Sequence, residues 1–289
     1  MQSAKGLQRA RLYIARFTKV LGRDKAPGDV TQRDVVAWRN AMFDAGMTHS
    51  NQAQHLSKLS GLFAAAVDDG LIDANPFAGV KAKKRKTEGK VSDRKRAFTD
   101  AELRKFLKAA PTQGATFDLI ARCLMLTGAR SEDICELRVE DVRKVQGVWV
   151  FDVNDKRRTV KNAMSVRLVP IPKAVRAAIM ARIKGRDGPS MVFEGVPERD
   201  TRGAHWYQVR ASRIVRGHVT NDKTLTAHGL RHTWRQRAEA LGVAPAVRRA
   251  IMGHALGKDA HDSVYGARPP VKELAKAIEK IADELEKSK

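Results

Sequence analysis

TAHGLRHTW, residues 226–234, sets His228, Arg231 and His232 at i, i+3 and i+4, so on a helix the three side chains share one face. Two histidines four residues apart match the ligand pair of a zinc-protease helix, but the glutamate which that motif requires is missing, since the next residue is Gly229. A histidine beside an arginine suits a phosphate better than a metal ion. The rest of the chain shows whether other residues point to the same ligand.

Three further stretches do. In LTGARSEDICEL, residues 126–137, Gly128 precedes Arg130, while Ile134 and Leu137 continue an apolar face. That pattern sets Arg130 at a helix start beside a tight turn, and helix N-termini and arginine both favour phosphate. Asp133, one turn on, is placed to orient the guanidinium, although surface arginines with an acid three residues away are common. DKRRTVKNAMSVRLVPIP, residues 155–172, reads as two strands about a turn with Lys161 near its tip, where a lysine either reaches a ligand or keeps an edge strand soluble. MGHALGKDAHDSVYG, residues 252–266, carries His254 after Gly253 and then Tyr265 in a polar context. Tyr265 reads either as a boundary residue with its hydroxyl in water or as a nucleophile, because an aryl oxygen attacks phosphorus and leaves again reversibly. His261 competes with His254 for any role.

The charge agrees with a phosphate ligand. The 289 residues carry a formal net charge of +23, which favours a polyanionic partner. A membrane surface would call for a basic amphipathic helix with large apolar residues opposite, and none stands out. Aromatic residues make up only 6% of the chain, so duplex backbone binding fits better than base stacking on single strands. There is no long apolar run and no signal-peptide core at the start. Cys123 and Cys135 match no metal spacing and read as buried thiols of a cytosolic protein.

The pattern along the chain predicts two folded parts. Residues 1–80 read as a helical domain: a helix over 6–21, a second opened by Thr31 with Asp34 as an imperfect capping box and ended at Gly46, and a third over 50–70, before Asn75-Pro76 breaks the structure. KAKKRKTEGKVSDRKR, residues 81–96, holds nine basic and two acidic residues and cannot build a core, so it reads as a linker lying along phosphates. Its candidate DNA-binding residues are Lys81, Lys83, Lys84, Arg85, Lys86, Lys95 and Arg96. Residues 97–289 follow as the second domain. Thr99 and Glu102 cap its first helix, helical sequence runs through 115–140, strands are expected at 147–153 and 166–172, and further helices near 173–184, 205–216, 228–241, 244–253 and 270–287. The predicted fold class is mainly α with a small β-sheet.

In order, TGAR with an acid three residues on, a lysine on a β-turn followed by RxVPIP, HGLRHT, MGH and a terminal tyrosine resemble the tyrosine recombinases, and among them the integrases of phages and other mobile elements. The resemblance covers nearly the whole chain. It implies a helical core-binding domain and a recombinase catalytic domain closing as a C-shaped clamp on double-stranded DNA. It implies site-specific cleavage and rejoining through a 3′-phosphotyrosine, integrating or excising an element with neither metal nor cofactor. Arg130 and Arg231 would clamp the scissile phosphate, and His254 would donate to it. Lys161 would protonate the leaving 5′ oxygen, His228 would assist proton transfer at the nucleophile Tyr265, and Asp133 would steady the region of Arg130.

As partners it implies a homotetramer on DNA, a C-terminal helix docked in trans on a neighbouring copy, a host DNA-bending protein and an excisionase. The expected location is the bacterial cytoplasm, on the nucleoid. Many such integrases carry a further small domain, ahead of the core-binding one, that grips arm-type DNA sites. Here the core-binding helices begin within about ten residues of Met1, which fits either a two-domain recombinase or a chain from which that domain has been removed. A topoisomerase-like enzyme would share the tyrosine and arginines without needing paired sites. A non-catalytic regulator would need none of the six residues together.

Overall fold

In the computed structural model, residues 4–22, 25–85, 95–156, 165–198, 202–254 and 268–287 are described. The chain divides into two compact units, Met1–Asp93 and Arg94–Lys289.

The first unit is built from α1 (Ala4–Leu21), α2 (Gln32–Asp44) and α3 (His49–Asp68). Local chemistry sets their ends. Thr31 and Asp34 form a complete capping box at the start of α2, better than the imperfect one expected, and the Thr48 hydroxyl accepts from the Asn51 amide to start α3. Past α3, Asn75 turns the chain by donating to the Ser60 carbonyl (2.9 Å) and accepting from the Phe77 amide (3.0 Å). That turn delivers Phe77 into a core with Phe17, Val35, Trp38, Met42, Leu56 and Leu59. Phe17 meets Trp38 edge-on at 5.2 Å, an arrangement the ring quadrupoles favour. His55 is buried between Tyr13 and Trp38, and burial with Arg16 nearby holds its pKa below the ordinary value.

The second unit starts at the complete Thr99–Glu102 capping box of α4 (Asp100–Ala109). The helical sequence expected over 115–140 is interrupted. Gly128 takes a left-handed φ of 64° and ends α5 (Ala115–Thr127), then α6 (Ser131–Cys135) adds little more than a turn. The chain next enters β1 (Val142–Val145), a strand the sequence pattern did not suggest. Gln146 (φ 49°) and Gly147 (φ 84°) turn it tightly into β2 (Val148–Val153), and β3 (Arg167–Pro170) completes an antiparallel sheet of order β1-β2-β3. Among the described residues α7 (Lys173–Ile183), α8 (Arg202–Ile214), α9 (Gly229–Ala240), α10 (Pro245–Met252) and α11 (Val271–Lys287) follow. Buried α5 is the central element, with α9 and α11 against it.

The tail corrects an expectation. Val271, Leu274, Ile278, Ile281 and Leu285 lie on one face of α11 and are buried against α5, α9, α10 and β3 of their own unit, where docking on a neighbouring copy was expected. The apolar stripe is covered in cis, and Glu279 fastens it by accepting from the Lys173 amide (3.1 Å) at the start of α7. No described helix is long and apolar enough to cross a membrane.

Candidate active site

The first piece of the site is the turn Gly128–Ala129–Arg130. Its path depends on a missing side chain, since a Cβ on Gly128 would fall 2.6 Å from the ring of Trp234. Trp234, fully buried on α9, donates through Nε1 to the Leu126 carbonyl (3.1 Å), so α9 is keyed to the end of α5. The Arg130 amide donates to Asp133 Oδ2 (2.9 Å), and the Arg130 guanidinium donates to the Gly253 carbonyl (3.0 Å).

Arg231 approaches the same point from α9. Only 5% exposed, it donates from Nη1 to the Gly128 carbonyl (2.6 Å) and from Nη2 to the Met252 carbonyl (2.7 Å), and lies 2.8 Å from His254 Nε2. The two arginines thus reach one turn, where α10 ends at left-handed Gly253 (φ 65°) and delivers His254. Burial, with Arg130 and Arg167 near, pulls the Arg231 pKa down to about 9, so it remains cationic at neutral pH. His254 is pushed down to about 4 by partial burial and then by Arg231 and Arg130. It is neutral near pH 7, with a tautomer that lets Nε2 accept from Arg231. His228 stands at the start of α9, its ring edge-on to His232 at 5.2 Å. Partial burial followed by Arg231 and His232 holds His228 near 4, although its side chain reaches solvent. A cleft of about 350 Å³ opens beside it, lined by Ser131, Tyr207, Gln208, Thr226, His228 and Arg231 among others.

Arg130, His228, Arg231 and His254 are therefore brought together from three separate stretches of sequence. Lys161 and Tyr265, the remaining catalytic candidates, lie outside the described residues, as does Lys86. Asp133 holds the Arg130 turn through the main chain, its Oδ2 accepting from the Arg130 amide and from the Arg167 guanidinium (2.6 Å), while the Arg130 guanidinium donates to the Gly253 carbonyl. Burial alone would raise the Asp133 pKa, and the adjacent Arg167 more than reverses this, leaving it below the carboxylate value. Arg167 was missed as a site residue. The signal was present in RLVP: on a strand, Arg167 shares a face with Val169, and both are buried.

The linker candidates divide. Lys81, Lys83 and Lys84 are exposed, and the Lys83 ammonium and Arg85 guanidinium lie over the Phe43 ring at 5.4 and 4.3 Å. Arg85 also donates to the Phe43 carbonyl. Lys95 donates to the Lys223 carbonyl (2.9 Å). Arg96 corrects the linker reading: it is bound by both oxygens of Glu102 (2.7 Å each) and by Asp222 (2.6 Å), so its guanidinium staples its own unit.

Buried Arg231 and half-buried Arg130, both held by main-chain oxygens beside two neutral histidines, have the chemistry of an oxyanion clamp, set here in a mainly helical unit with a small sheet. The model of the phage integrase family matches residues 96–262, more than half the chain, and the chain belongs to that family. An integrase of Enterobacteria phage 434 is 28% identical over 114 residues, 39% of this chain and 30% of that protein, so the chain spans under a third of that relative. Among solved structures, a lambda integrase dimer bound to a COC′ core site is similar at 21% identity and a TM-score of 0.64, covering 89% of this chain and 71% of that one. A lambda integrase tetramer bound to a Holliday junction gives 19% identity and a TM-score of 0.64, over 90% of this chain and 74% of the other. The Tn1549 transposon integrase (residues 82–397) with circular intermediate DNA gives 22% and 0.60, over 89% and 87%.

Proposed function

We propose that this protein is a site-specific DNA recombinase of the tyrosine type, integrating or excising a phage or other mobile element. The observation that carries the reading is the convergence of Arg130 and Arg231 on the Gly253 turn, with His254 against Arg231. Preorganised cations around one point suit a phosphate whose charge grows in the transition state. In this reading Tyr265 Oη attacks the scissile phosphorus, the P–O5′ bond breaks, and a 3′-phosphotyrosine remains. His228 takes the phenolic proton, and Lys161 gives a proton to the departing 5′ oxygen. His228 is neutral at physiological pH and free to accept that proton. Because its own pKa is held near 4 while tyrosine ionises near pH 10, the transfer must run together with attack of the phenolic oxygen on phosphorus. Arg130 and Arg231 hold the non-bridging oxygens, and His254 rotates from accepting to donating when the phosphate enters. The net charge of +23 supports double-stranded DNA as the partner, with affinity falling steeply as salt rises.

The division into residues 1–80 as a core-type DNA-binding domain, a basic linker, and residues 97–289 as the catalytic domain belongs to the same proposal. So does a tetramer on DNA, by likeness to the lambda integrase captured as one on a Holliday junction. A host DNA-bending protein and an excisionase would set direction, and the setting is the bacterial cytoplasm, on the nucleoid. The test is covalent capture on nicked duplex DNA carrying the candidate attachment site, where loss of the short 5′-hydroxyl strand traps the intermediate. Wild type should give a denaturant-stable adduct and Tyr265→Phe none. An adduct from both would place the nucleophile elsewhere, and tight binding without an adduct from either would favour a regulator.

A further inference from the structure

Arg167 joins three segments with one guanidinium. Its Nη2 meets Asp133 Oδ2 at 2.6 Å, its Nε donates to the Ile251 carbonyl at 2.7 Å, and its Nη1 donates to the Ser165 carbonyl at 2.9 Å. Asp133 Oδ2 is also the oxygen that holds the Arg130 amide, and Ile251 lies two residues before the Gly253 carbonyl that holds the Arg130 side chain. We propose that Arg167 is a positioning residue for strand cleavage, fixing the Arg130 turn and the Gly253–His254 turn at the spacing a phosphate needs and keeping Asp133 away from the Arg130 guanidinium. The inference rests on the recombinase reading above.

Three observations support it. The first is cost. Arg167 is only 4% exposed and faces inward beside Val169 and opposite Val153, where an apolar side chain would fill the space without desolvating a charge. The second is fit. A Cβ on Gly253 would come within 2.9 Å of Arg167 Nη1 and 3.1 Å of Cζ and Nε, so the guanidinium lies directly against that turn. The third is charge balance. Asp133 is buried within reach of two arginines and forms its 2.6 Å ion pair with Arg167, while the Arg130 guanidinium donates to the Gly253 carbonyl. Without Arg167 the carboxylate would turn to Arg130 and oppose an incoming phosphate.

The experiment measures the first-order rate of adduct formation at saturating nicked DNA, together with the final amplitude and the DNA affinity. Arg167→Met should form adduct about 100-fold more slowly, the scale of loss expected when reacting groups are displaced by about 1 Å, with amplitude and affinity within about threefold of wild type. Arg167→Lys should lie between them. The double variant Arg167→Met/Asp133→Asn should recover about tenfold over Arg167→Met, because the freed carboxylate is gone. A wild-type rate in Arg167→Met overturns the inference, as does a fall in amplitude at an unchanged rate constant, which marks a purely structural residue. If Arg167→Met does not fold, the rate constant of Arg167→Lys is judged by the same criteria. Absence of any adduct from wild type overturns the recombinase reading itself, and this inference with it.

Discussion

Each unit is centred on a fully buried tryptophan, and the two are surrounded differently. Trp38 sits among Phe17, Phe77 and His55, ring against ring, and closes a small core. Trp234 lies against Gly128, donates to the Leu126 carbonyl, and thereby shapes the turn that carries Arg130. The same residue type serves cohesion in one unit and placement in the other. The buried cations follow that division: Arg167 and Arg231 are both in the second unit, at the turns beside its candidate site, where their desolvation opposes folding.

The comparison is tested most severely at Arg231. Arg231→Met should slow adduct formation about 1,000-fold or more, as expected for loss of a preorganised charge, while filter binding shows DNA affinity changed only severalfold. Trp38→Ala should destabilise by about 3–5 kcal/mol, and calorimetry should assign the loss to the first unit, with the transition of the second unmoved. Trp234→Phe keeps most of the packing and removes one buried donor, so about 1 kcal/mol of stability should go. Its adduct rate should nonetheless fall about tenfold, whereas Trp38→Phe should leave that rate unchanged.

A gentler test is pH. The folded pKa of His254, about 4, lies below the ordinary 6.5, so as pH falls the unfolded chain takes up its proton first. The contribution of His254 to stability is then full above pH 6.5 and is lost as pH drops towards 4. An NMR titration should find its ring neutral at pH 5.5. The smallest effect belongs to Arg96→Met. Although Arg96 meets two carboxylates, the group is partly exposed, so about 0.5–1 kcal/mol should be lost in denaturant titration.

What could be read in advance was what side chains do to their own neighbourhood. Thr99 with Glu102, Thr31 with Asp34 and the stop at Asn75-Pro76 announce themselves, because caps and breakers act within a few residues. The four converging site residues were readable through their order along the chain. β1 was not, since VRKV carries two exposed cations and becomes a strand only by pairing with β2. The partner of Asp133 was not either, because Arg167 lies 34 positions away and its claim on the carboxylate depends on where β3 passes. Arg96 looked like linker because its acids, Glu102 and Asp222, are joined to it only by the fold.

The oxygens that hold Arg130 and Arg231 come from Gly128, Met252 and Gly253, and all are main-chain. No codon change removes a peptide carbonyl, so substitution at these positions alters the clamp only by rerouting the backbone. That part of the site is inherited as a path and is sheltered from mutational drift. Alanine scanning passes over it, and replacing single amides by esters or thioamides through semisynthesis would be the way to perturb it atom by atom.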